Sequence, residues 1–356
     1  MTKALKTRQK STVIQTGLMG YGLSGKVFHA PFIAAHPGFN LQAIASSGSE
    51  AQSEFPKSTH VTSFADLLKQ PIDLVALCTP NTLHASQAIL ALEAGKHVII
   101  EKPFATNSKD AKHIFDAAKV ANKEVFPYHN RRLDSDFRTV QAILSQGYLG
   151  KVLDYECHFD KYSPLISRAK WKYSQTDGGG TLFDLGTHLI DQALCIFGKP
   201  QSVFCLLYNQ REGSVCDDSF ELKLLYSDFV ATLKASVFVK EPGPRIIIHG
   251  THGSFIKSGI DPQEAWLRKG KKPGLKGYGV EPKKNRGILN ADLQGKSFTG
   301  KYETQAGNYM EFYNNVYNVV VNHAKPMVTL DDAMLNLRIV EAAFRSSSEQ
   351  RIITLD

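Results

Sequence analysis

Two short stretches of the chain carry residue types able to move a proton and steady a negative charge. Glu101-Lys102-Pro103 follows the apolar run Val98 to Ile100, so Lys102 leaves the carboxyl end of an expected strand, where open α/β sheets bind their ligands. Between Gly178 and Asp191, Asp184 and His188 stand four apart and Asp191 three further on, which sets three ionisable groups on one strip of an expected helix. A histidine, with an ordinary pKa of about 6.5, suits a base working near neutrality. A lysine beside the same oxygen stabilises charge as it develops. Each has a plainer explanation when taken alone: a solvated loop lysine, a capping aspartate and a satisfied core histidine. No H-E-x-x-H and no cysteine pair completes a ligand set, so no metal is expected.

The elements that must position these groups begin with Thr12 to Thr16, a β-branched run followed by Gly17-Leu-Met-Gly20-Tyr-Gly22-Leu-Ser-Gly25 and a helical segment, Lys26 to Ala35. In that strand, turn and helix, Gly20 suits a tight turn, Gly22 a close approach of backbone to a pyrophosphate, and Gly25 the packing of helix on strand. The helix start, with Leu23 and Ser24, would aim its unpaired N–H groups at the phosphates. Further strands are expected at Phe39 to Ser47, Leu74 to Cys78, His97 to Glu101 and Glu124 to Pro127, with helices at Ala65 to Lys69, Ala85 to Ala94 and Ser108 to Ala121. Strands spaced by helices in this order predict a parallel sheet with crossovers.

About twenty residues beyond such a glycine turn an acidic side chain commonly holds the ribose 2′-hydroxyl of NAD. Here Ser46-Ser47-Gly48-Ser49 occupies that place, which favours NADP, with NAD possible if Glu50 takes the acidic role. Thr79, Pro80, Asn81 and His84 follow the third expected strand, where contacts to ribose or nicotinamide are expected; Glu101 and Lys102 belong to the same cofactor edge. Arg131 and Arg132 are read equally as cofactor or substrate contacts and as surface ion pairs.

Beyond residue 130 the apolar or alternating runs Val152 to Phe159, Ser202 to Tyr208, Ser219 to Tyr226, Phe229 to Val239 and Arg245 to His249 read as successive strands of a second domain. The expected division is 1–129 and 130–356. A chain of 356 residues with 42% hydrophobic composition is long enough for two cores. Its five cysteines are scattered and sit mostly in apolar runs, as in a reduced cytoplasmic protein. The formal charge of +8 is concentrated in the N-terminal arm and in Lys257 to Arg286, read as a solvated loop, so no nucleic-acid partner is expected. No run is long enough to span a bilayer, and no membrane partner is expected.

From about Thr12 to its end the sequence resembles the Gfo/Idh/MocA oxidoreductases. The residues that carry the resemblance are the glycine turn, Thr79-Pro80-Asn81 with His84, Glu101-Lys102-Pro103, and Asp184 with His188. Four stretches narrow it to the NADP-dependent scyllo-inositol dehydrogenase-like branch: Gly22 to Pro31, His129 to Asp136, His158-Phe-Asp160 and His249 to Ser254. The resemblance implies an α/β fold with an N-terminal Rossmann domain and a C-terminal α/β domain whose open, mainly antiparallel sheet supplies substrate pocket and oligomer interface. It also implies Lys102, Asp184 and His188 as the catalytic set. Asn130, Asp160, Arg168 and Trp171 are the candidate substrate contacts, and a homodimer or homotetramer acting on a polyol, inositol or sugar is the expected assembly. Which of Lys102 and His188 takes the proton stays open, as do a dihydrodiol substrate, a cofactor-sensing regulator and a glycosidase that retains its NAD.

Overall fold

The computed structural model describes residues 12–166, 178–293 and 295–355. Its first sheet is built from β1 (Ile14–Met19), β2 (Phe39–Ala45), β3 (Thr59–Val61), β4 (Leu74–Leu77), β5 (His97–Ile100) and β6 (Val125–Pro127). All neighbours are parallel, in the order β3-β2-β1-β4-β5-β6. Helices cover both faces, so β4 is buried along its whole length and β5 beyond its first residue; this is why both read as continuous apolar runs. The crossovers carry α1 (Ala30–Ala35), α2 (Glu50–Glu54), α3 (Phe64–Leu68), α4 (His84–Glu93) and α5 (Ser108–Ala121). The last starts where Asn107 accepts the Asp110 N–H at 2.8 Å, and it stops at Asn122 in the left-handed region.

After α6 (Ser135–Ser145) the chain enters a nine-stranded sheet: β7 (Val152–His158), β8 (Ser202–Tyr208), β9 (Ser219–Leu225), β10 (Val230–Ser236), β11 (Ile246–Gly250), β12 (Gly253–Lys257), β13 (Ile288–Leu293), β14 (Lys296–Lys301) and β15 (Ile353–Thr354). Every pair is antiparallel except β7 with β10. In β9 Phe220, Leu222 and Leu224 are buried while Glu221 and Lys223 point the other way, the alternation of a sheet covered on one face. The cover is α7 (Thr187–Phe197) with the C-terminal α10 (Leu330–Glu349), while α8 (Gln263–Arg268) and α9 (Met310–Asn322) pack toward the first sheet. Among the described residues no helix is long and apolar enough to cross a membrane.

Two expectations need correction. The basic stretch Lys257 to Arg286 is not merely a solvated loop, because Leu267, Glu281 and Asp261 are buried and Lys257 is fully enclosed. The Lys257 ammonium donates to both oxygens of Glu281 at 2.9 and 2.7 Å and to the carbonyls of Ser258 and Asn285, which compensates its removal from water. The cysteines are free, yet only Cys157 and Cys205 are buried, and Cys195 lies on the exposed side of α7.

Removing one member of a buried ion pair leaves the other charge uncompensated. Lys257→Ala is therefore expected to lower unfolding free energy by roughly 3–5 kcal/mol in urea denaturation, against a change near zero if the pair were solvated.

Candidate active site

At the end of β1, Gly20 adopts φ +95°, and a Cβ there would stand 2.7 Å from the Cys78 carbonyl oxygen. A Cβ on Gly25 would lie 2.2 Å from the Gly20 carbonyl oxygen, whereas one on Gly22 would meet nothing within 4 Å. The turn is thus closed on its protein side and open at Gly22, the shape a pyrophosphate needs against bare backbone. A π-helical segment, Gly25–His29, leads from it into α1. Leu23 is half exposed beside the opening. These residues fit a dinucleotide.

Glu101 ties this turn to the next loop. Burial opposes its charge, but His29, Ser24 and Lys102 together hold the carboxylate below its ordinary range. One oxygen takes His29 Nε2 at 3.0 Å and the Ser24 hydroxyl; the other takes the Lys102 N–H at 3.0 Å. The far nitrogen of His29 meets the Tyr313 hydroxyl of α9 at 2.9 Å. Ser24 therefore contributes its side chain to the scaffold.

Lys102, joined to Pro103 by a cis peptide, reaches across to the second domain. Its ammonium donates to the Asp184 carbonyl at 2.6 Å and to the Asp184 carboxylate at 2.7 Å, which leaves one of its three N–H bonds for another acceptor. Asp184 lies in a second π-helical segment, Leu182–Gly186, which runs directly into α7. The wider turn keeps Asp184 and His188 near one another, yet the carboxylate is paired with lysine.

His188 is buried on α7, with its Nδ1 sealed and unpartnered and its Nε2 taking no hydrogen bond from the described residues. Burial pushes its pKa well below the ordinary range, and Lys102, Arg131 and His129 act in the same direction against Asp184. At neutral pH the ring is uncharged and able to accept a proton. The Phe159 ring meets it edge-on at 6.5 Å and itself lies under Arg245 and Arg131, at 3.7 and 5.0 Å.

Asp191 faces elsewhere. Arg132 clasps it through Nε and Nη2, at 2.9 and 2.7 Å, and also donates to the Met327 carbonyl, so this third member of the strip anchors α7. Arg131 pairs with Asp134 and Glu264 rather than with solvent.

The remaining candidates fall into three groups. Around β4, the Thr79 hydroxyl donates to Gln87, Pro80 precedes a short helical turn, and Asn81 donates to the Gly178 carbonyl at 2.7 Å, which bridges to the segment before Asp184. His84 is wholly buried with its ring nitrogens on the carbonyls of Pro103 and Thr79, so it joins the two loops from beneath. Beyond β2, Ser46 bends its hydroxyl to the Gly48 carbonyl at 3.1 Å, Ser47 is exposed, and Glu50 is paired with Lys26. In the second domain Asn130 is buried at the junction, while Asp160 meets His158 Nδ1 at 3.2 Å and the Ser236 N–H at 3.1 Å. Arg168 and Trp171 lie outside the described residues. Among the described residues no cluster of His, Cys, Asp and Glu could hold a metal ion.

The sequence did not reveal Tyr313 or the part played by His29 in holding Glu101. A histidine flanked by Phe28 and an apolar helix signals burial, but its partners, Glu101 and Tyr313, lie 72 and 284 residues away, beyond any local pattern.

Residues 14–129 match the family model described as "Oxidoreductase family, NAD-binding Rossmann fold", and residues 141–355 match "Oxidoreductase family, C-terminal alpha/beta domain". The chain is 35% identical to the scyllo-inositol 2-dehydrogenase (NADP(+)) IolW of Bacillus subtilis, over 100% of both. It is 30% identical to levoglucosan dehydrogenase of Pseudarthrobacter phenanthrenivorans over 54% of each. The solved structure of the putative oxidoreductase yvaA from Bacillus subtilis superposes with a TM-score of 0.94 at 35% identity, covering 98% of this chain and 100% of that one.

The electrostatics make the His188 ring a test. Followed by NMR, it is expected to titrate well below pH 6.5, and Lys102→Met, which removes a neighbouring cation, is expected to raise the midpoint. A native midpoint at or above 6.5 contradicts the assignment.

Proposed function

The chain belongs to the Gfo/Idh/MocA oxidoreductase family, and on that premise we propose that it is an NADP-preferring dehydrogenase acting on a secondary hydroxyl of an inositol, another polyol or a sugar. The observation that carries this reading is the meeting of Lys102, Asp184 and His188 where the two sheets adjoin, next to the loops of the glycine turn. A cofactor-sensing regulator needs the turn but gains nothing from a neutral, unpartnered histidine beside a paired lysine. The relatives named for inositol and levoglucosan dehydrogenation support the substrate class.

A nicotinamide dinucleotide, when bound, supplies the hydride acceptor. Gly20, Gly22, Leu23 and Gly25 would hold its phosphates, and the loops at Ser46-Ser47, Thr79 to Asn81 and Glu101-Lys102 its remaining length. Asp184 fixes the Lys102 ammonium, whose remaining N–H holds the substrate oxygen and stabilises charge there as the proton leaves. His188, kept neutral by burial, accepts that proton. Reduction runs the same steps in reverse. The uncovered face of the nine-stranded sheet supports assembly into a homodimer or homotetramer, and we place the enzyme in the cytoplasm.

The test is a panel of inositols, sugars, acyclic polyols and a dihydrodiol, followed at the absorbance of reduced nicotinamide. Lys102→Met and His188→Asn are each expected to lower turnover at least about a hundredfold while cofactor affinity stays within about threefold. Full turnover in both variants would remove the pair from the mechanism. Turnover on the dihydrodiol alone would move the substrate class.

A further inference from the structure

We propose that Lys26 selects the phosphorylated cofactor by recognising its 2′-phosphate, with Glu50 competing for the same ammonium. The inference rests on the dinucleotide reading above and deepens it. Lys26 directly follows Gly25, so its backbone is fixed by the glycine turn. Its side chain crosses to α2, where it pairs with Glu50 and, at 3.1 Å, with Glu54. Glu54 also accepts the Tyr21 hydroxyl at 2.8 Å, so that carboxylate has a second donor, whereas no second donor to Glu50 is evident among the described residues. Glu50 opens and Glu54 closes the short helix that follows the Ser46 to Ser49 loop, at the β2 end where an open α/β sheet receives the ribose.

The sequence places no cation beside Ser46 and Ser47; the fold brings one from another element. A phosphate monoester carries a charge of about −1.5 to −2 near neutral pH and several acceptor oxygens. It therefore outcompetes one half-exposed carboxylate for the Lys26 ammonium. An unphosphorylated ribose offers no such exchange, and Lys26 stays on Glu50. The two residues thus act with opposite sign on one preference, which a merely structural ion pair would not do.

The experiment is a fluorescence titration of NADPH and NADH on the whole protein, without substrate, for the native chain, Lys26→Met and Glu50→Gln. Lys26→Met is expected to weaken NADPH at least about tenfold and leave NADH within about twofold, while Glu50→Gln tightens NADPH. Equal weakening of both cofactors by Lys26→Met, or an unchanged ratio, overturns the assignment, as does NADPH binding that Glu50→Gln leaves unchanged or weakens. Native preference for NADPH with a ratio that survives Lys26→Met sinks Lys26 alone. Native preference for NADH sinks both it and the NADP reading.

Discussion

Where β5 ends, a carboxylate is buried, and a buried carboxylate costs several kcal/mol unless donors surround it. Glu101 is surrounded by three, and each comes from a part of the site that must not drift: Ser24 and His29 from the helix after the glycine turn, and the backbone of Lys102 itself. One charge therefore registers the cofactor turn against the loop that carries the lysine. His29 in turn leans on Tyr313, and Lys102 on Asp184, so the registration extends into the second domain at two points. The placement of the Lys102 ammonium follows from satisfying that carboxylate.

Burial does related work at His188. A histidine in water would be partly charged near neutrality; this one is stripped of solvent and flanked by Lys102, Arg131 and His129, so the neutral form prevails. The Asp184 carboxylate opposes that effect without reversing it, and is itself paired with Lys102. An uncharged imidazole and a paired ammonium thus occupy neighbouring positions.

Much of this was legible in the residues. The parallel sheet showed in apolar runs doubly buried by helices, and the second sheet in alternation such as Phe220, Leu222 and Leu224 against Glu221 and Lys223. Lys102 was conspicuous because it leaves a strand end, and Asp184 with His188 because of their spacing. What stayed hidden was who meets whom. Helical periodicity put Asp191 on the same strip, but Arg132, from the segment after β6, claims it. The lysine-rich character of 257–286 suggested solvent, while Glu281 and the Asn285 carbonyl, at the far end of the same stretch, hold Lys257 inside. Cations read by their sequence neighbours alone say nothing about Lys26, whose partners are presented by a different helix.

One of the two apolar cores joins Ile14, Leu18, Val27 and Phe32 of the first domain to Leu267, Phe312, Tyr313 and Val316 of the second. The nucleotide-binding half is consequently not a transplantable module. Cut free, it would show water the surface that α9 now seals, and grafted onto a relative's second half it would need a matching aromatic seam. Divergence within such a scaffold is then channelled: loops at the pocket can change singly, whereas residues along the seam must change in company.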